Sequence, residues 1–492
     1  MPGERPNILL IITDQQRADC LGIDGHPVLQ TPYLDYIAQS GVRFTRAYSE
    51  VPSCIPARHV LMAGQAPDEV GLVGFCYRSE SCPWDPPATL ADELSKAGYE
   101  TRMIGKLHLQ PQRKRYGFDA MELADGLGGT GNDFVDWLKL RGVPKSRMPS
   151  TLGMGNWIGR PGPFGEDETY AYWAVERALD FLRKRDPSTP FFLNVSIFEP
   201  HPPLICPPVY FHRYDRLDLP QPCVGSWVPP FRGPRRGLNP RGGELEMDLD
   251  PLTMHHCRAA YYGLVNHVDH QLGRLIGGLG AALENTYILF VSDHGEMLGD
   301  HHLYGKCEPF ESSARVPFLL RPPRAKGEYL QEPDPDGEYP RGIVRDEPVG
   351  LQDVMPTLLD AAGIDVPASC TGRSVLPLAR GESVPWRDEL RGEHSGFRSS
   401  DAGFHYLVGR RRKYIWWSQS GQERLFDLVD DPLELKDLSD TEDLSPWRVR
   451  LAEELASRPE GFSDGRSLIP GRPHRVFVPG KGPTVEWPTT RA

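Results

Sequence analysis

Four short runs of β-branched and apolar residues stand out along the chain, at 7–13, 101–104, 191–197 and 286–291. Each is bounded by polar or turn residues and is too short for an ordinary helix, which predicts strands. Between them, apolar residues recur at helical spacing. The stretch from about His256 to Leu275 carries Leu264, Val268, Leu272 and Leu275 on one stripe, and Thr89 with Asp92 opens a helix that stops at Gly98. Thr31-Pro32 predicts a further helix start, with Thr31 as N-cap ahead of Leu34, Ile37 and Ala38. Strands alternating with helices predict an α/β fold, a large mixed, mainly parallel sheet flanked by helices on both faces.

The texture changes after about Arg380. Residues 404–408 and 413–417 alternate like strands, 425–428 reads as a third, and a helix begins at about Leu451 before a tail rich in Pro, Gly and Arg. This divides the chain into a catalytic-sized α/β unit at 1–380 and a smaller C-terminal α+β unit at 381–492, whose tail is expected to pack against the body or a neighbouring subunit. Two stretches, 126–165 and 202–250, are long enough to be loops over a site, and the second carries Arg232, Arg235, Arg236 and Arg241.

The 492 residues allow a sizeable core, and 50 glycines with 49 prolines mean many loops without low complexity. A net charge of −12 argues against a protein built to coat nucleic acid or an anionic membrane. The apolar run Ile8 to Ile12 ends at Thr13 and Asp14, too short for a signal core or a membrane span, so the expected location is cytoplasmic. The nine cysteines, at 20, 54, 76, 82, 206, 223, 257, 307 and 370, lack CxxC spacing, which suits a reduced compartment.

Polar residues fall at the carboxyl ends of the four runs: Asp14-Gln15, then Lys106 and His108, then Glu199 and His201, then Asp293-His294. In open α/β sheets that edge binds ligands, so these groups are expected to converge. Asp14, Gln15, Asp293 and His294 offer carboxylate and amide oxygens with one imidazole, a set for Ca²⁺, Mg²⁺ or Mn²⁺. Cys54-Ile55-Pro56-Ala57-Arg58 precedes a short helix, His59 to Met62, closed by Gly64, which puts Cys54 near a positive dipole end. On its own Cys54 is either a buried structural thiol or a reactive thiolate.

These motifs together resemble the sulfatase family of the alkaline phosphatase superfamily. The resemblance rests on PNILLIITDQQ at 6–16, CIPARHVLMAG at 54–64, GKLHL at 105–109, SIFEPHPP at 196–203, SDHGEMLGDHHLYGK at 292–306 and MPTLLDAAGI at 355–364, and continues in RKYIWW at 412–417 and LFDLVDDPLE at 425–434. It implies that Cys54 is oxidised by a formylglycine-generating enzyme to formylglycine, whose hydrate attacks the sulfur of a sulfate ester. Asp14, Gln15, Asp293 and His294 would hold the metal, with modified Cys54 as a further ligand. Arg58, Lys106 and Lys306 would neutralise the sulfuryl oxygens, His201 would protonate the leaving oxygen, and His108 would drive collapse of the hemiacetal.

Gln15 and His294, in place of the second Asp and the Asn of many members, resemble the branch with choline sulfatases and phosphonate monoester hydrolases. Ca²⁺ is the family default, and imidazole for an amide moves preference toward Mn²⁺. A phosphonate monoester or phosphodiester hydrolase is the rival activity, against which Gly105-Lys106-Leu107-His108 favours sulfate; an inactive binder of sulfated ligands is a third reading. The implied partners are a small sulfated organic substrate and the maturing enzyme, with a homo-oligomer if the tail reaches a neighbour. Phe75, Tyr77, Trp84, Trp157, Tyr210 and Trp227 in the loops suggest a ring-shaped substrate portion or loop packing.

Overall fold

The four predicted runs become the centre of an eight-stranded sheet. The computed structural model describes residues 5–75, 83–129, 131–148, 157–230, 245–323, 341–396 and 402–481; Tyr77, Arg232, Arg235, Arg236 and Arg241 lie outside them. The sheet comprises β1 (Asn7–Asp14), β2 (Val42–Phe44), β3 (Glu100–Gly105), β4 (Ala120–Leu123), β5 (Phe191–Pro200), β6 (Thr286–Ser292), β7 (Phe318–Arg321) and β8 (Ile343–Arg345). Their order is β8-β2-β7-β6-β1-β5-β3-β4. Only β7 runs antiparallel to its neighbours, so the sheet is mixed and mainly parallel.

Strand β1 is buried along its whole length, because helices cover both faces. Ile8, Leu10 and Ile12 point into one core with α2 (Cys54–Ala63), α3 (Leu90–Lys96) and α6 (Val354–Ala361). Leu9 and Ile11 point into the other, with α1 (Pro32–Gln39), α4 (Tyr170–Lys184) and α5 (Pro251–Leu279).

The helix starts divide into those set locally and those set at a distance. Thr89 accepts from the Asp92 N–H at 3.1 Å and opens α3 as its sequence predicts, and Gly98 beyond it takes φ +89°. Helix α5 begins earlier than His256, because Asp250 accepts from Leu252 N and Thr253 N at 3.1 and 3.0 Å. Thr31 does not cap α1: its hydroxyl is spent on Gly22 N and Asp35, and Asp269 of α5 accepts from Tyr33 N and Leu34 N at 3.1 and 2.8 Å.

A separate antiparallel sheet follows, β9 (Glu389–His394), β10 (Phe404–Gly409), β11 (Arg412–Trp417) and β12 (Glu423–Asp427). Its faces alternate: Tyr406, Val408, Ile415 and Phe426 pack toward the large domain, and Leu407, Tyr414, Trp416 and Leu425 toward α7 (Ser445–Glu454), which opens ahead of Leu451. The tail returns to the body. Val73 N donates to Val476 O at 2.9 Å and Val478 N to Gly71 O at 3.0 Å, on the chain that follows helix α2. No helix among the described residues is long and apolar enough to cross a membrane.

Candidate active site

Strands β1 and β6 pair in parallel with Thr13 opposite Ser292, so Asp14 and Asp293 leave the sheet edge side by side. With His294 they place three ligand atoms within 4.8 Å of one another. His294 Nδ1 lies 2.9 Å from the Gly295 carbonyl and donates to it, and Nε2 lies 3.5 Å from both Asp14 Oδ1 and Asp293 Oδ1. Among the described residues, Asp14 Oδ1 and His294 Nε2 are buried without a hydrogen-bond partner. Buried polar atoms left so are costly unless a ligand satisfies them, and two carboxylates with one imidazole fit one divalent cation.

Gln15 is held beside this cluster with φ +70°. Its backbone N–H donates to Asp293 Oδ1 at 3.1 Å, its Nε2 donates to the Glu296 carboxylate, and its Oε1 accepts from Lys306 Nζ at 3.2 Å. The amide oxygen therefore faces the site.

Cys54 is the first residue of α2 and is buried, with Lys306 Nζ 3.5 Å from its sulfur. Burial pushes the thiol up, and the Lys106 and Lys306 ammoniums more than offset this, bringing it down to about 7. One turn along α2, Arg58 donates to Asp293 Oδ2 at 2.8 Å, Ser196 Oγ at 2.8 Å and Lys106 O at 2.6 Å. Lys106 Nζ meets Asp14 Oδ2 at 2.5 Å. Ends of β1, β3, β5 and β6 thus converge with the start of α2, and three buried cations face two carboxylates. Such a site favours an anionic substrate.

The family profile described as Sulfatase matches residues 6–364, and that of the N-sulphoglucosamine sulphohydrolase C-terminal region matches 299–460. The chain belongs to the sulfatase family. The arylsulfatase of Clostridium perfringens is 39% identical over 490 residues, covering 95% of this chain and 98% of that protein. The choline-sulfatase of Rhizobium meliloti is 28% identical, covering 89% and 83%. Among solved structures, the phosphonate monoester hydrolase of Agrobacterium radiobacter superposes with TM-score 0.72 at 25% identity, covering 92% of this chain and 95% of that one. This sulfatase is accordingly a sulfuric ester hydrolase.

The sulfatase's remaining expected residues stand around the cluster. His201 Nδ1 lies 2.7 Å from Pro202 O, its ring packs on Phe198, and burial together with Lys306 holds it well below the usual imidazole range. His108 takes φ +56°; its N–H and that of Leu107 both donate to Asp125 Oδ1, at 2.9 and 3.0 Å. Burial and Lys106 bring its ring down to about 3, and among the described residues its Nδ1 has no hydrogen-bond partner.

Several supporting residues were not assigned from sequence. Glu296 accepts from Leu298 N and Gly305 N, both at 2.7 Å, and from Gln15 Nε2, so it orients Gln15 and ties the loop after β6. Its position in SDHGE, three residues after Asp293, was the available signal. Ser196, Ser292 and Asp125 brace Arg58, the Gln16 backbone and the His108 segment in the same way. The loop aromatics separate. Trp157 packs on Tyr304, Tyr210 on His267, and Trp227 on Phe310 inside the small-sheet core, so these serve packing. Trp84, half-buried, lies against His59 at 4.5 Å.

Proposed function

We propose that this sulfatase hydrolyses aryl sulfate esters to inorganic sulfate through formylglycine made from Cys54, with one divalent metal, Ca²⁺ or Mn²⁺. The observation that carries the reading is the pair of buried polar atoms, Asp14 Oδ1 and His294 Nε2, without a hydrogen-bond partner among the described residues and set beside a cysteine that Lys306 touches. Asp14, Gln15, Asp293, His294 and modified residue 54 would hold the metal. When bound, the cation supplies Lewis-acid charge to sulfuryl oxygens and favours a deprotonated hydroxyl at position 54.

The chain's own groups do the rest. Arg58 holds Asp293 and the Lys106 carbonyl, and Asp14 holds the Lys106 ammonium beside them. Lys106 and Lys306 hold sulfuryl oxygens with charge-assisted hydrogen bonds. His201 keeps one proton on Nδ1 toward Pro202; the negative charge of a bound ester favours a second proton on Nε2, which passes to the leaving oxygen. His108, neutral at rest, takes the proton released when the sulfated hydrate collapses to aldehyde and sulfate. A formylglycine-generating enzyme is the maturation partner this chemistry requires.

The aryl class draws on the likeness to the C. perfringens arylsulfatase. The likeness to the A. radiobacter hydrolase supports a second activity on phosphonate monoesters. A diester or phosphonate ester puts an organic group where a sulfate monoester presents a bare oxygen to Lys106. Native enzyme is therefore expected to show the higher kcat/KM on an aryl sulfate, and Lys106→Ala to cost sulfate hydrolysis about 10²-fold, more than it costs the phosphonate. A better phosphonate than sulfate substrate would reverse the assignment.

A further inference from the structure

Ser53 is the N-cap of α2, a position where serine usually accepts from the N–H of the second or third helical residue. Here the third residue is Pro56, which has no N–H, and Ser53 makes no side-chain capping bond. Its hydroxyl instead lies 3.0 Å from His394 Nε2, at the end of β9 in the small sheet. His394 Nδ1 accepts from the Gly396 N–H at 3.1 Å, so the ring proton sits on Nε2 and His394 is the donor. Among the described residues Ser53 Oγ has no other partner, which leaves its own hydrogen unspent one residue before the nucleophile.

His394 is fixed from several directions. The N–H groups of Glu393 and Ser395 donate to Glu50 O and Val73 O, both at 2.8 Å, and these two residues flank the nucleophile helix in sequence. Glu393 accepts from Arg458 at 2.7 Å to each oxygen, from Arg391 at 3.0 Å and from His474 Nε2 at 3.1 Å. The strand is thus pinned on its edge and through its neighbour's side chain.

We propose that Ser53 and His394 form a positioning pair for the nucleophile, in which His394 fixes the Ser53 oxygen and the Ser53 hydroxyl donates to an oxygen carried by residue 54. The inference rests on the formylglycine reading. An aldehyde hydrate bears two hydroxyls on one carbon, of which one attacks and the other later surrenders its proton. A donor fixed by the preceding residue distinguishes them. A thiol sulfur accepts weakly, so the pair serves the oxygen-bearing form.

The test uses full-length enzyme co-expressed with a formylglycine-generating enzyme, with formylglycine fraction and metal content measured in every sample. In Ser53→Ala and in His394→Phe, kcat on an aryl sulfate, per formylglycine-bearing molecule, is expected to fall about 10-fold with KM within about twofold, the scale of one lost hydrogen bond. Combining the two should cost no more than the worse single change, and Ser53→Thr and His394→Gln, which keep the hydroxyl and a side-chain donor, should recover most of the rate. An aminooxy probe reacts with the aldehyde and not its hydrate, so it should label Ser53→Ala faster than native enzyme. Unchanged kcat in both variants, or losses that follow metal content and melting temperature with labelling unaltered, would overturn the pair. Active native enzyme that retains the Cys54 thiol overturns the formylglycine reading and this inference with it, an outcome distinct from failure of the variants alone.

Discussion

Lys306 donates from Nζ to the sulfur of Cys54 at 3.5 Å, and the same ammonium reaches Gln15 Oε1 at 3.2 Å. A single cation therefore bridges Cys54 and the amide beside the candidate metal ligands. Lys306→Met is expected to lower kcat/KM about 10²-fold or more, since a charge-assisted contact to the transferring group is lost. In unconverted protein the same change should raise the Cys54 thiol above about 7, because an ammonium that favours thiolate is gone. The pH dependence of thiol alkylation reads this directly; an unshifted profile would contradict the contact.

Asp293 accepts from Arg58 Nε and from Gln15 N, and one oxygen faces His294. Asp293→Ala is expected to remove stoichiometric metal and activity together, as the cation loses an anionic ligand and Arg58 its anchor. Elemental analysis after dialysis measures this. Undiminished metal in the variant would refute the ligand assignment.

How much of this was legible in the sequence depended on distance along the chain. Asp14 and Asp293 end apolar runs, and the general behaviour of α/β sheets brings such ends to one edge, so the cluster could be anticipated without knowing strand order. Asp269 could not be matched to α1, because a cap supplied from another helix leaves no local pattern; Thr31-Pro32 gave the right start for the wrong reason. Strand β9, Glu-Leu-Arg-Gly-Glu-His, carries charged residues held by ion pairs, the buried Glu393 with Arg458 and the partly buried Arg391 with Asp68, so its composition hid it. Trp227 failed as a substrate-contact candidate because its indole N–H donates to Glu434 O within the small-sheet core.

Asp269 stands in for the missing local cap, so Asp269→Ala is expected to destabilise the fold by about 1–2 kcal/mol, the usual cost of losing an N-cap acceptor. Asp269→Asn retains a carbonyl oxygen and should cost less. Chemical denaturation of metal-loaded protein compares the two, and equal losses would mean that charge rather than capping is what α1 needs.

His267 is fully buried on α5, its Nε2 is 2.8 Å from Thr169 Oγ1, and burial followed by the neighbouring His270 brings it down to about 3 from the ordinary 6.5. A histidine held neutral in the fold and free to protonate when unfolded contributes full stability above pH 6.5 and loses it progressively as pH falls toward 3. At pH 5 that loss is about 2 kcal/mol. His267→Gln keeps a donor to Thr169 and removes the titration, so its melting temperature should fall less than native between pH 8 and pH 5. An equal fall in both proteins would assign the acid sensitivity to other groups.

Cys54 is buried in the folded chain, and Glu50 and Val73 on either side of α2 are bonded to Glu393 of β9 and to Ser395 just beyond its end at His394. On a ribosome the cysteine emerges roughly 340 residues before that strand, a lag of about 20–70 s at ordinary elongation rates. The converting enzyme of the proposed function would thus be in a race with synthesis of β9, and on that reading slowing translation downstream of α2 should raise the fraction of molecules converted.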